Sequence, residues 1–238
     1  MLDRIFYTDV MSTFKAIPSA LYNGMMNDDP GAVFTAELLA EAFHELGHLA
    51  YDAGRVIDLA VYGGSCLMLV SNFRVATADV DAVAAEDQGF LDQIAQTVAA
   101  KHSWPPDWLN DGVRTYLSPR VEGFAQHSLF RTYPREEAPG LRVFVPTAEY
   151  IPAMKLMAMR LDPGGGRNDL EDILNLMQVA GLKEKADILR FAGRFYPEAR
   201  TSGRLILAID HLWSEYGRRL ERSDHETPRY LGRSGPQG

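Results

Sequence analysis

The stretch Val56-Ile57-Asp58-Leu59-Ala60-Val61-Tyr62-Gly63-Gly64-Ser65-Cys66-Leu67-Met68-Leu69-Val70 decides the fold. Its first seven residues are mostly apolar and partly β-branched, the composition of a short buried strand. Gly63-Gly64-Ser65 breaks the run, and Cys66 to Val70 reads as helix. Glycines at such a turn let a backbone come close to a phosphate, and a helix N-terminus offers free N–H groups and a positive dipole. An ordinary tight strand-to-helix turn has the same letters.

Upstream, Thr35 caps a helix whose apolar face is Leu38, Leu39, Ala42, Phe43, Leu46 and Leu49, with Glu37 in its first turn. Ala53-Gly54-Arg55 ends it. Downstream, residues 77–83 form a second short strand carrying Asp79-Val80-Asp81. Side chains two apart on a strand share a face, so the two carboxylates project together. Paired acids repel unless a cation lies between them, and Mg²⁺ takes carboxylate and phosphate oxygens. The spacing from Ser65 to Asp79 leaves room for one helix and a return loop to the same end of the sheet.

The remaining chain reads as helices over 90–101 and 108–117, then a hairpin of strands 128–132 and 141–145 around Pro134 to Gly140. Residues 150–160 form a methionine-rich helix. Helices over 169–180, 183–195 and 204–218 follow. Residues 221–238, rich in Gly, Pro and Ser, read as a flexible tail. The expectation is an α/β (α+β) protein with a small mixed-sheet core and a C-terminal helical bundle, divided near Tyr150.

The whole chain has 238 residues, 46% of them hydrophobic and 24% charged, which excludes disordered, collagenous and disulfide-scaffold classes. Cys66 is the single cysteine, so no intramolecular disulfide forms and a reducing compartment is expected. The start, MLDRIFYTDV, lacks the apolar core of a signal peptide, and no apolar run has membrane-spanning length. A cytoplasmic protein with no membrane partner is expected. The net charge is −8, unevenly spread: residues 1–119 hold 6 basic and 16 acidic residues, residues 120–238 hold 18 and 16.

One motif points elsewhere. His44-Glu45-Leu46-Gly47-His48 has the His-Glu-x-x-His pattern in which two histidines on one helix face hold zinc and the glutamate activates water. A zinc-dependent metallohydrolase is therefore an alternative expectation. The third ligand it needs is not evident, since no His-x-x-Gly-x-x-His continuation follows. The motif also suits the polar side of a packing helix.

Gly63-Gly64-Ser65 followed by Arg74, Thr77 and Asp79-x-Asp81 resembles the active-site signature of the DNA polymerase beta-like nucleotidyltransferase superfamily. Lys155 and Arg160, followed by Arg167-Asn168-Asp169-Leu170-Glu171-Asp172, is similar to a helical block of its small prokaryotic members related to the AbiEii and MenT toxins of toxin–antitoxin systems. The resemblance runs from about Leu38 to Phe195. It implies a nucleotidyltransferase-like domain over 1–149 and a helical domain over 150–220. It implies transfer of a nucleoside monophosphate from an NTP, with Mg²⁺, to a hydroxyl of tRNA or protein, and a cognate antitoxin or toxin as partner. By the same resemblance Asp79 and Asp81 are metal ligands and catalytic residues, with Lys155 and Asp169 beside them. Gly63, Gly64, Ser65 and Arg74 bind nucleotide. The superfamily's third carboxylate is missing from residues 141–145, leaving Asp169, Glu149 or a vacant position. A non-catalytic, antitoxin-like binding protein on the same fold is the other alternative.

Overall fold

The computed structural model describes residues 34–71, 76–159, 172–174, 176–177, 180, 182, 184–201 and 203–225, with side chains as far as 214. Thr35 caps α1 (Ala36–Asp52) as expected, its Oγ1 accepting the Leu38 N–H at 3.3 Å. Leu39, Ala42, Phe43, Leu46 and Ala50 bury one face of this helix against the sheet. β1 (Ile57–Val61) runs through Gly63 into α2 (Gly63–Val70), and β2 (Val80–Ala84) returns antiparallel to β1. α3 (Gln88–His102) then leads to β3 (Leu109–Asn110), which lies parallel to β2. The hairpin β4 (His127–Arg135) and β5 (Ala138–Pro146) completes a five-stranded mixed sheet of order β3-β2-β1-β5-β4, with β5 parallel to β1. α4 (Tyr150–Ala158), α5 (Lys185–Phe195), the short α6 (Glu198–Thr201) and α7 (Arg204–His225) follow. The α+β class expected from the sequence is the one observed.

The middle strands are covered on both faces, which is why β1 reads as an almost unbroken apolar run. Ile57, Leu59 and Val61 join Val80 and Ala82 under α1 and α3. Ala60, Tyr62 and Val83 point the other way, into a second core shared with α4, α5 and α7. The expected boundary near Tyr150 falls at the start of α4. Tyr150 is itself buried in that second core, so the helical end packs as a layer on the sheet.

Four expectations need correcting. Residues 108–117 are not one helix. Trp108 is anchored, with Nε1 donating to the Ala95 carbonyl at 3.0 Å and its ring stacked 5.3 Å from Phe34. Asn110 Oδ1 then accepts the Gly112 N–H at 3.0 Å, turning the chain into a 3₁₀ turn over Gly112–Tyr116. The strand expected from Thr77 begins at Val80, because Thr77 forms an isolated bridge with Phe34. The hairpin strands are longer than expected, and only Glu136 and Glu137 connect them. Pro134 falls inside β4, which accepts it because β4 is an edge strand. Finally, α7 continues to His225, past the expected start of the tail.

α1 sits on the hairpin at unusually close range. A Cβ on Gly140 would stand 1.9 Å from the Gly47 carbonyl oxygen and 2.7 Å from the Tyr51 nitrogen. A Cβ on Gly47 would meet Tyr133 backbone at 2.7 Å. These atoms are backbone and cannot swing aside, so Gly140→Ala is expected to cost about 1–3 kcal/mol in urea unfolding. Gly193→Ala in α5 meets nothing within 4 Å and is expected to stabilise by about 0.5–1 kcal/mol. Equal effects from the two would show that the close approach is not real.

Candidate active site

The β1–α2 turn is dictated by one contact. Gly63 has φ +61°, which favours glycine, and a Cβ there would lie 2.3 Å from Asp81 Oδ2. The carboxylate of Asp81 therefore rests against bare glycine backbone. The main chain is locked alongside, with Tyr62 N–H donating to the Asp81 carbonyl at 2.8 Å. Asp79 lies immediately before β2, and its carbonyl accepts from Ser65 Oγ at 2.8 Å and Thr77 Oγ1 at 3.1 Å.

Both acids face a cavity of about 350 Å³ between the sheet's end and α4. Gly63, Asp79 and Asp81 form one wall, with Asn110 and the 3₁₀ turn beside them. Lys155, Met154 and Ile151 close it from α4. Residues from distant parts of the chain thus meet at the glycine turn, as the expected site requires. Lys155 is 12% exposed, and its Nζ donates to Asp172 Oδ2 at 3.0 Å, a carboxylate itself only 4% exposed. Cys66 lies on the same wall. Burial pushes its thiol up to about 12, against the opposing pull of the Lys155 charge, so it is a neutral packing group.

The other expected site residues fall in several places. Gly64 occupies the first turn of α2 and is not among the residues that line the cavity. Ser65 is buried, and its hydroxyl hydrogen goes to the Asp79 carbonyl. It positions the acid strand and does not line the cavity. Arg74, Asp169 and the neighbouring Arg160, Arg167 and Asn168 lie outside the described residues. Glu149 is exposed and paired with Arg194, away from the cavity.

Three participants were not singled out from sequence. Asp172 stands in the block that the resemblance highlights, but its burial under Lys155 depends on how α4 packs. Asn110 is the register partner of Asp81 on β3 and lines the cavity. Its Oδ1 accepts the Gly112 N–H, which leaves its NH₂ group as the donor end of the side chain. Tyr62 lines the cavity as well, with its hydroxyl 2.9 Å from His127 Nε2 in a bond whose donor is set by the imidazole tautomer. Burial raises the Tyr62 phenol above its ordinary value. It also pushes His127 down to about 4, although the nearby Phe124 backbone favours the proton. Both groups are neutral near pH 7.

Asp79 and Asp81 suit a hard divalent cation. They are two apart, they face one cavity, and the bare glycine backbone makes room for the Asp81 carboxylate. Among the described residues no three His, Cys, Asp or Glu side chains gather to hold a metal. Remaining positions would go to water and phosphate oxygens, the usual habit of Mg²⁺. The His44-Glu45-x-x-His48 helix is built differently. Glu45 is bound by Lys101 Nζ at 2.9 Å and His102 Nε2 at 2.8 Å, and no third ligand joins the histidines among the described residues. Burial opposes the Glu45 charge, but these two partners outweigh it and hold the carboxyl below its ordinary value.

No described helix is long and apolar enough to cross a membrane. In comparisons with protein-family models, curated proteins and solved structures, nothing matches this chain.

Two predictions follow from these environments. Asp172→Ala removes a buried carboxylate partner of the Lys155 ammonium and is expected to cost roughly 3–5 kcal/mol in urea unfolding, while Lys155→Met with Asp172→Leu recovers most of it. A small loss from the single change would show that the pair is solvated. For His127, the unfolded chain takes up a proton near pH 6.5 and the folded chain near 4. Between those values the unfolded state binds more protons, so falling pH removes up to roughly 3 kcal/mol of stability. The His127 ring-proton resonance should keep its neutral position down to about pH 5 in an NMR titration. A midpoint near 6.5 would contradict its burial.

Proposed function

We propose that the protein is a Mg²⁺-dependent nucleotidyltransferase. It moves a nucleoside monophosphate from an NTP to a hydroxyl acceptor on tRNA or protein, within a toxin–antitoxin pair in which a cognate chain controls it. The observation that carries this reading is the meeting of Asp79, Asp81 and Lys155 in one cavity at the Gly63 turn. The resemblance in the sequence supplies the reaction class.

The chemistry asked of these residues is positioning and charge. Asp79 and Asp81 would hold the cation, which when bound neutralises triphosphate charge and favours in-line displacement. Backbone at Gly63 and Gly64 admits phosphate closely because no side chain intervenes. Lys155 enters from α4, and Asp172 keeps its ammonium in place, so positive charge stands ready as negative charge builds. Asn110 offers two donors beside Asp81. The acceptor oxygen forms the new bond to the α-phosphorus, its proton passes to water, and pyrophosphate leaves. Met154 and Ile151 give the cavity an apolar side against which a nucleoside can pack.

Incubation of the full chain with each α-labelled NTP and Mg²⁺, in the presence of either total tRNA or protein acceptors, tests the reading. Label is expected in one acceptor class. Asp79→Asn and Asp81→Asn should each lower transfer by about 10³-fold or more, and Lys155→Ala by about 10²-fold, with far-UV circular dichroism unchanged. Absence of label with all four NTPs, or wild-type transfer by either aspartate variant, would overturn it.

A further inference from the structure

The His44-Glu45-Leu46-Gly47-His48 motif takes no part in the cavity described above, yet its histidines are not scattered. They lie four apart on α1, a 17-residue helix with a formed N-cap, so both side chains leave the same face one turn apart. Both are exposed, and their ring centroids are 4.6 Å apart. Zinc–nitrogen bonds of about 2.0–2.1 Å place two ligating nitrogens about 3.3 Å apart around a tetrahedral ion. Rings this close can supply that separation by side-chain rotation alone, with the helix unmoved. Glu41 and Asp52 are exposed on the same stripe, three residues before His44 and four after His48, and add negative charge that attracts a cation.

We propose that His44 and His48 form an open two-histidine site for a divalent transition-metal ion of the zinc or copper class. Imidazole ligands suit these ions, and Mg²⁺ prefers oxygen. The site binds metal and does not hydrolyse. Glu45, which the motif would cast as the base, has both carboxylate oxygens turned to Lys101 and His102. Two protein ligands leave further coordination positions to water or to a group from another molecule. The site lies on α1 and is independent of the transferase reading.

Zinc titration of the full-length protein against a chromophoric chelator, with Mg²⁺ in excess to occupy the oxygen site, tests the proposal. One saturable equivalent is expected. His44→Ala and His48→Ala should each weaken it roughly tenfold to hundredfold, because a chelating pair becomes a single ligand. Glu45→Gln should leave zinc affinity unchanged. Electron paramagnetic resonance of the Cu²⁺-loaded chain should show nitrogen ligation that His48→Ala diminishes. Both histidines are exposed, so the variants should keep the wild-type circular dichroism spectrum. Absence of saturable zinc binding, or wild-type zinc affinity in either histidine variant, would overturn the site. A loss in Glu45→Gln matching theirs would overturn its two-ligand assignment.

Discussion

The contact between Asp81 and Gly63 organises this molecule. A carboxylate is pressed against a residue that can have no side chain, in a backbone conformation that other residues resist. The Tyr62–Asp81 main-chain bond ties the end of β1 to β2 at the same place. At that junction the end of β1, the start of α2 and the Asp81 side chain meet. Ser65 and Thr77 reinforce it by holding the Asp79 carbonyl from two sides. Their hydroxyls serve the geometry of the acids.

The second layer of the fold gives the junction its partner. The side of the sheet away from α1 is apolar at Ala60 and Val83, and the C-terminal helices cover it. α4 brings Lys155 to the cavity. Buried ion pairs are seldom a net source of stability, because desolvation takes back much of the attraction. The Lys155–Asp172 pair is better understood as a device that fixes where one positive charge stands. The uneven charge of the chain fits this division. Acids at the strand ends belong to the sheet half, and the lysine that faces them belongs to the more basic helical half.

The His-Glu-x-x-His motif shows how the same letters serve different physics. The spacing guarantees that His44 and His48 share a face of α1. It cannot say whether Glu45 points to a metal or to a neighbouring helix. Here α3 ends beside it, and Lys101 and His102 take both carboxylate oxygens. The helix is thereby tied into the structure while the histidines stay exposed.

Much of the framework was legible in the sequence because it depends on short-range rules. The cap at Thr35, the apolar face of α1, and β1 with its glycine turn all follow from spacing and side-chain type. Where reading failed, a distant contact overrode local preference. Trp108 is pinned by Ala95 and Phe34, so residues 108–117 turn where periodicity favours helix. Asn110 carries no motif and matters because β3 places it beside Asp81. The sequence alone determined which residues could share a face and where the backbone must lack side chains, since those are properties of neighbours along the chain. Only the tertiary structure decided that Lys155 and Asp172 pair at the cavity, that Ser65 turns inward and that Glu45 is taken by α3. Those outcomes come from which surfaces pack against which, and burial, not spacing, selects among the partners each side chain could have had.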